Sequence, residues 1–157
     1  MQLNSLLEHY QNGRYDETEK LAISITQQFP NHQFSWKIIV AVLKQTGRIS
    51  EGVVAIQKEV EINPKDAEAH SNLGNTLNDL GRFEEAEASL KQAIALKPDF
   101  TQAHYNLGIT LKELGRLEEA EASYTKAIAL KSDYAEAHCS LAVVLTELGR
   151  LAEGEVN

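Results

Sequence analysis

Histidine recurs at His70, His104 and His138, each 34 residues after the last, and an imidazole can ligate a metal or carry a proton near neutral pH. Equal spacing at that interval argues against one shared ion. Equivalent side chains on neighbouring packed helices stand on the order of 10 Å apart, whereas zinc–nitrogen bonds measure about 2 Å. The three histidines are therefore expected to pack, in the place that Trp36 takes one interval earlier, and neither a metal nor a cofactor is assigned. Asn4, Asn72 and Asn106 share the same spacing. An amide both donates and accepts, so such a row can hydrogen-bond the N–H and C=O groups of an extended peptide whatever its side chains. Ile38 interrupts the row and Ser140 ends it. No Ser-His-Asp arrangement, catalytic carboxylate pair or phosphate-cradling glycine loop is found, and Glu84-Glu85 and Glu118-Glu119 read as solvated helix starts. Cys139, without a predicted cationic setting, reads as a small half-buried residue. The expectation is a chain that is not an enzyme.

The elements that must position these residues follow from composition and period. The 157 residues, 43% hydrophobic and 24% charged, have the make-up of one soluble globular domain. A net charge of −8 is opposite to the basic footprint that phosphate backbones and anionic membranes select, so neither nucleic acid nor membrane is an expected partner. One cysteine forms no internal disulfide, and the first residues lack a basic start and an apolar run, so a cytoplasmic location is expected. Residues 67–100 and 101–134 are identical at about two-thirds of their positions. Gly-Arg pairs at 13, 47, 81, 115 and 149 repeat at intervals of 34.

Within each interval lie two amphipathic runs. Leu73, Leu77 and Leu80 form one helical stripe, and Ala86, Leu90, Ala93 and Ile94 another. Glycine in Gly-Arg suits a left-handed helix end, and Pro30, Pro64 and Pro98 stop the second helix. Gly74, Ala86 and Ala93, repeated as Gly108, Ala120 and Ala127, are small enough for two helices to approach closely.

The spacing His70-x2-Leu73-Gly74-x2-Leu77, followed by Ala86-x3-Leu90, Ala93 and Pro98, resembles the tetratricopeptide repeat, with Trp36 where that family's tryptophan stands. The resemblance implies an all-α, right-handed superhelical α-solenoid of antiparallel helix pairs. It divides the chain into a divergent repeat at 1–32, repeats at 33–66, 67–100 and 101–134, and an incomplete one at 135–157. Departures are Glu59 for the Ala93 equivalent, Thr18, Gly52 and Gly154 for the Ala86 equivalent, and Ser132 for the proline.

The resemblance further implies a concave groove built from the first helix of each repeat. Its lining would include Lys37, Asn72, Asn75, Asp79, Tyr105, Asn106, Ile109, Glu113, Ser140 and Val143. The asparagine row is similar to the ladder in the repeat arm of O-linked N-acetylglucosamine transferases. A chaperone-tail carboxylate clamp is matched at Lys37 and Asn72 only, since Ala41, Gln102 and Asn106 stand where an asparagine and two basic residues are needed. The expected function is a protein–protein interaction module that binds an extended peptide or a partner helix, neutral or basic in charge. Two alternatives accompany it: the recognition arm of a larger transferase, and a scaffold that self-associates through an uncapped last repeat.

Overall fold

A computed structural model describes the backbone of residues 2–155 and the side chains of residues 2–149. Nine helices occupy the described residues, with no strand among them: α1 (Gln2–Gln11), α2 (Tyr15–Gln28), α3 (Gln33–Gln45), α4 (Ile49–Ile62), α5 (Ala67–Asp79), α6 (Phe83–Leu96), α7 (Thr101–Glu113), α8 (Leu117–Leu130) and α9 (Ala135–Glu155). They fall into two compact units, Met1–Ala69 and His70–Asn157. In unit 1, α1 packs on α2, α2 on α3 and α3 on α4. In unit 2, α6 packs on α7, α7 on α8 and α8 on α9.

The hairpins close by one repeated device. Gly13, Gly47, Gly81 and Gly115 have φ between 70° and 74°, a region that side chains rarely enter. At the third turn the Gly81 N–H donates to the Asn78 carbonyl and the Arg82 N–H to the Leu77 carbonyl, both at 2.9 Å. This is the paired helix-end motif that satisfies carbonyls left over by the last turn. Arg14, Arg48 and Arg116 repeat the longer bond. The sequence predicts a fifth turn at Gly149-Arg150, and here the structure differs: α9 runs through it as one helix of 21 residues. In the other four turns the left-handed glycine brings in a second helix of 14 residues. Gly149 here lies inside α9.

The second helices end at Gln28, Ile62, Leu96 and Leu130, each two residues before Pro30, Pro64, Pro98 or Ser132. Because α8 stops in register without a proline, proline is not required to end such a helix. A ring contact marks the same corner. Trp36 Nε1 donates to the Pro30 carbonyl, His104 Nε2 lies 2.8 Å from the Pro98 carbonyl, and His138 Nε2 lies 2.8 Å from the Ser132 carbonyl. A carbonyl only accepts, so Nε2 carries the proton in both histidines. Histidine replaces tryptophan here as an equivalent N–H donor.

Unit 2 has a continuous core of Leu90, Ala93, Ala103, Leu107, Leu111, Leu117, Ala120, Tyr124 and Val144. Close approach makes it dense. A Cβ at Gly74 would meet Leu90 Cγ at 2.4 Å, and one at Gly108 would meet Tyr124 Cε1 at 2.5 Å. At Gly52 the nearest atom, Leu43 Cβ, is 4.0 Å away. Two outcomes follow. Gly108→Ala should lower the urea midpoint, because overpacking costs about 1–3 kcal/mol and outweighs the ~1 kcal/mol that alanine gains over glycine in a helix. Gly52→Ala should raise it, with a gain in unfolding free energy of about 0.5–1 kcal/mol, since the new methyl meets only ordinary contact.

Candidate functional site

The sequence-predicted lining of unit 2 lies on three helices at matching positions. On α7, Tyr105, Ile109 and Glu113 are spaced four residues apart and form one stripe, and Cys139, Val143 and Glu147 repeat it on α9 after 34 residues. Asn75 and Asp79 hold the corresponding places on α5. Val143 is 46% exposed, while Tyr105 and Ile109 are half-buried against the core below. Asp79 and Glu113 are exposed, and Glu147 is half-buried with Lys112 Nζ 3.9 Å away. On α7 and α9 the strip ends in a carboxylate, whereas on α5 Asp79 follows the polar Ser71 and Asn75.

Beneath the strip lies an aromatic cluster. Tyr105 stands 4.9 Å from Tyr134 and 5.8 Å from Tyr124, ring centre to ring centre. Tyr124 replaces the leucine of the preceding repeat, is 1% exposed and shares a side-chain hydrogen bond with Ser140. Burial pushes its phenol up to about 12. Ser140, predicted to continue the asparagine row, is therefore engaged with Tyr124.

The asparagine row is placed unevenly. Asn4 is exposed, Asn72 is half-buried, and Asn106 is only 3% exposed. Tyr134 donates to Gln102 Oε1 at 3.0 Å, and Gln102 Nε2 donates to Asn106 Oδ1 at 3.1 Å. The carbonyl half of the Asn106 amide is thus occupied from within. Thr110 donates to Asn78 Oδ1 at 2.9 Å, and Asn78 Nδ2 lies 3.3 Å from the Asn106 backbone carbonyl. Sequence reasoning missed this relay, because Gln102 and Tyr134 are 32 residues apart and meet only when α7 packs beside the start of α9.

Lys37 belongs to unit 1. Its Nζ stands 3.3 Å from Asp66 Oδ2 and 4.0 Å from Glu68 Oε2, and Gln33 also donates to Asp66. An ammonium already opposed by two carboxylates has little left for a ligand carboxylate. Behind it, Glu59 is 2% exposed, and its Oε1 is the one buried side-chain polar atom without a hydrogen-bond partner among the described residues. Burial pushes the Glu59 carboxyl up to about 7, with Asp66 and Glu68 adding to the rise and Lys37 and Lys44 opposing it. The sequence carried a signal: glutamate stands where Ala93 and Ala127 stand in later repeats.

The Gly-Arg arginines act on the opposite charges of the turns. Arg116 grips Glu119 at 2.8 and 2.6 Å and Glu87 at 2.8 Å, and Arg48 grips Glu51 and Glu19 in the same spacing. Arg82 has Glu85, but Val53 stands where Glu19 and Glu87 would be. These hydrogen bonds hold the carboxyls of Glu51, Glu85, Glu87 and Glu119 below the usual range; Glu87 owes its shift first to Lys91. Among the described residues no group of three metal-ligating side chains comes together. No helix there is long and apolar enough to cross a membrane.

Comparison with known proteins agrees with this architecture. Sequence models of the tetratricopeptide repeat match residues 55–88, 74–115 and 110–149. No curated protein matches the sequence significantly. Among solved structures, MamA from Desulfovibrio magneticus RS-1 is similar at TM-score 0.88 and 18% identity, over 94% of this chain and 84% of that one. The first repeat domain of Spaghetti (RPAP3), bound to the HSP90 peptide SRMEEVD, is similar at 0.73 and 23%, over 74% and 93%. The O-GlcNAc transferase of Thermobaculum terrenum is similar at 0.64 and 31%, over 68% of this chain and 20% of that one.

The buried glutamate sets a pH dependence whose sign is defined. Its folded-state value lies above the ordinary 4.5, so its contribution is complete below that value and is lost as pH rises toward 7, by about 3 kcal/mol in all. Glu59→Ala should remove that loss. Its denaturation midpoint, relative to the parent chain, should be clearly higher at pH 8 than at pH 5, and an equal difference at both would exclude a buried ionising carboxyl.

Proposed function

The chain belongs to the tetratricopeptide-repeat family, a family of protein-interaction modules, and we propose that unit 2 binds an extended peptide segment of neutral or basic charge across α7 and α9. One observation carries the reading: the stripe Tyr105-Ile109-Glu113 and its repeat Cys139-Val143-Glu147 leave apolar side chains at the surface, ending in acids. Burying Val143 and the exposed parts of Tyr105 and Ile109 supplies affinity in proportion to the apolar area removed from water. Asp79, Glu113 and Glu147 favour a cationic over an anionic flank. Asn72 offers both halves of its amide to a peptide backbone. Asn106 offers chiefly its N–H groups, because Gln102 has taken the oxygen.

We assign these residues no catalytic step, and a reducing, cytoplasm-like compartment is part of the same reading. A second reading is favoured by the 31% identity to a transferase of which this chain covers 20%: the same groove would then select substrates for a catalytic domain elsewhere. Both readings use one surface.

Peptides selected from a displayed library of 12-residue segments, measured by fluorescence anisotropy, test the groove. Ile109→Asp and Val143→Asp should each weaken the selected peptides at least tenfold, about 1.4 kcal/mol. Glu113→Lys should reverse the preference for lysine-bearing over glutamate-bearing members. Affinities untouched by all three substitutions would sink the proposal.

A further inference from the structure

The first repeat, in unit 1, leaves open a corner that the fourth repeat, in unit 2, fills. Gln2, Leu3 and Asn4 of α1, Ile25 of α2, and Phe29 and His32 beyond its end line an open cleft of about 590 Å³. Ile25, 3% exposed, is its floor, while Leu3 at 40% and Phe29 at 58% stand at the rim. Three intervals of 34 later, Leu3, Ile25, Phe29 and His32 become Tyr105, Ala127, Lys131 and Tyr134. There the corner is packed. Tyr105 lies against the cluster of Ala127, Tyr134 and Ala137, with its ring centre 4.9 Å from that of Tyr134. Lys131 Nζ sits 5.2 Å from the Tyr134 ring centre. In the first repeat the shorter leucine replaces the tyrosine, and the space stays open. Phe29 also puts an apolar rim where Asn63, Lys97 and Lys131 put a polar one.

We propose that this cleft binds a tyrosine side chain of a partner protein, which takes in the first repeat the place that Tyr105 takes in the fourth. The need for a ring follows from Leu3, Ile25 and Phe29, against which an aromatic side chain buries apolar area and gains a ring–ring contact. The choice of tyrosine over phenylalanine follows from His32. Its Nδ1 accepts from the Ser35 N–H at 3.3 Å and lies 2.7 Å from Ser35 Oγ, so the imidazole proton is on Nε2. Among the described residues Nε2 forms no hydrogen bond. A phenol oxygen in the cleft accepts from that donor, where a phenyl ring leaves it unserved. The cleft shares no residue with the α7–α9 groove, so either site can fail alone.

N-acetyl-tyrosine methylamide is the probe, titrated into the whole chain and followed by amide and methyl NMR, with the phenylalanine analogue for comparison. The tyrosine probe should shift Leu3, Ile25, Phe29 and His32 and bind several-fold tighter than the phenylalanine one. Phe29→Ala, at an exposed position, should weaken binding about threefold or more. Leu3→Tyr supplies the ring from within, as Tyr105 does in the fourth repeat, and should abolish binding. His32→Asp keeps a side-chain acceptor at the start of α3, as Asp66 does for α5, and should leave the two probes bound alike. The proposal is overturned by shifts that bypass the cleft, by equal binding of both probes to the parent chain, or by undiminished binding in Leu3→Tyr.

Discussion

Within unit 2, Gly74 and Gly108 mark places where one helix comes so near another that a methyl group on the backbone would overlap Leu90 or Tyr124. The rest of the unit depends on that approach. It lets Leu90 and Tyr124 be buried completely, and it sets a helix spacing that the left-handed glycine turns then repeat. With the helices so held, residues 34 apart on α7 and α9 fall into rows. A larger residue at Gly108 would open the pair and disperse the row before touching any groove side chain.

Charge is distributed by the same period but for different ends. At the turns, Arg48 and Arg116 each hold one glutamate three residues ahead and another 29 residues behind, so a turn is tied to the second helix of the preceding pair. Exposed pairs of this kind are individually worth little to stability. Asp79 and Glu113 are exposed at the ends of α5 and α7, and Glu147 on α9 has Lys112 Nζ 3.9 Å away rather than an arginine. Glu59 differs from both sets in being buried, at a position that alanine takes in later repeats.

Residue types also find structural roles. Buried His104 and exposed His138 set Nε2 against the Pro98 and Ser132 carbonyls, a role that Trp36 fills through its indole N–H. Other readings were altered by contacts distant in sequence. Asn106 counts as an open amide until Gln102 and Tyr134 close on it. Ser140 counts as a groove hydroxyl until Tyr124 meets it. Gly149 has the local signature of a turn, yet it lies inside α9, because a turn residue permits a hairpin but only a second packed helix makes one.

Sequence alone determined the helix-pair architecture, the 34-residue period and the positions of four turns. These follow from local rules: helical periodicity, left-handed glycine, and small residues recurring where helices meet. Tertiary structure alone decided which side chains remain available. Availability depends on what approaches from another helix, and a hydrogen bond such as Tyr134 to Gln102, or the absence of one at Glu59 Oε1, is fixed by packing between residues that no local pattern relates.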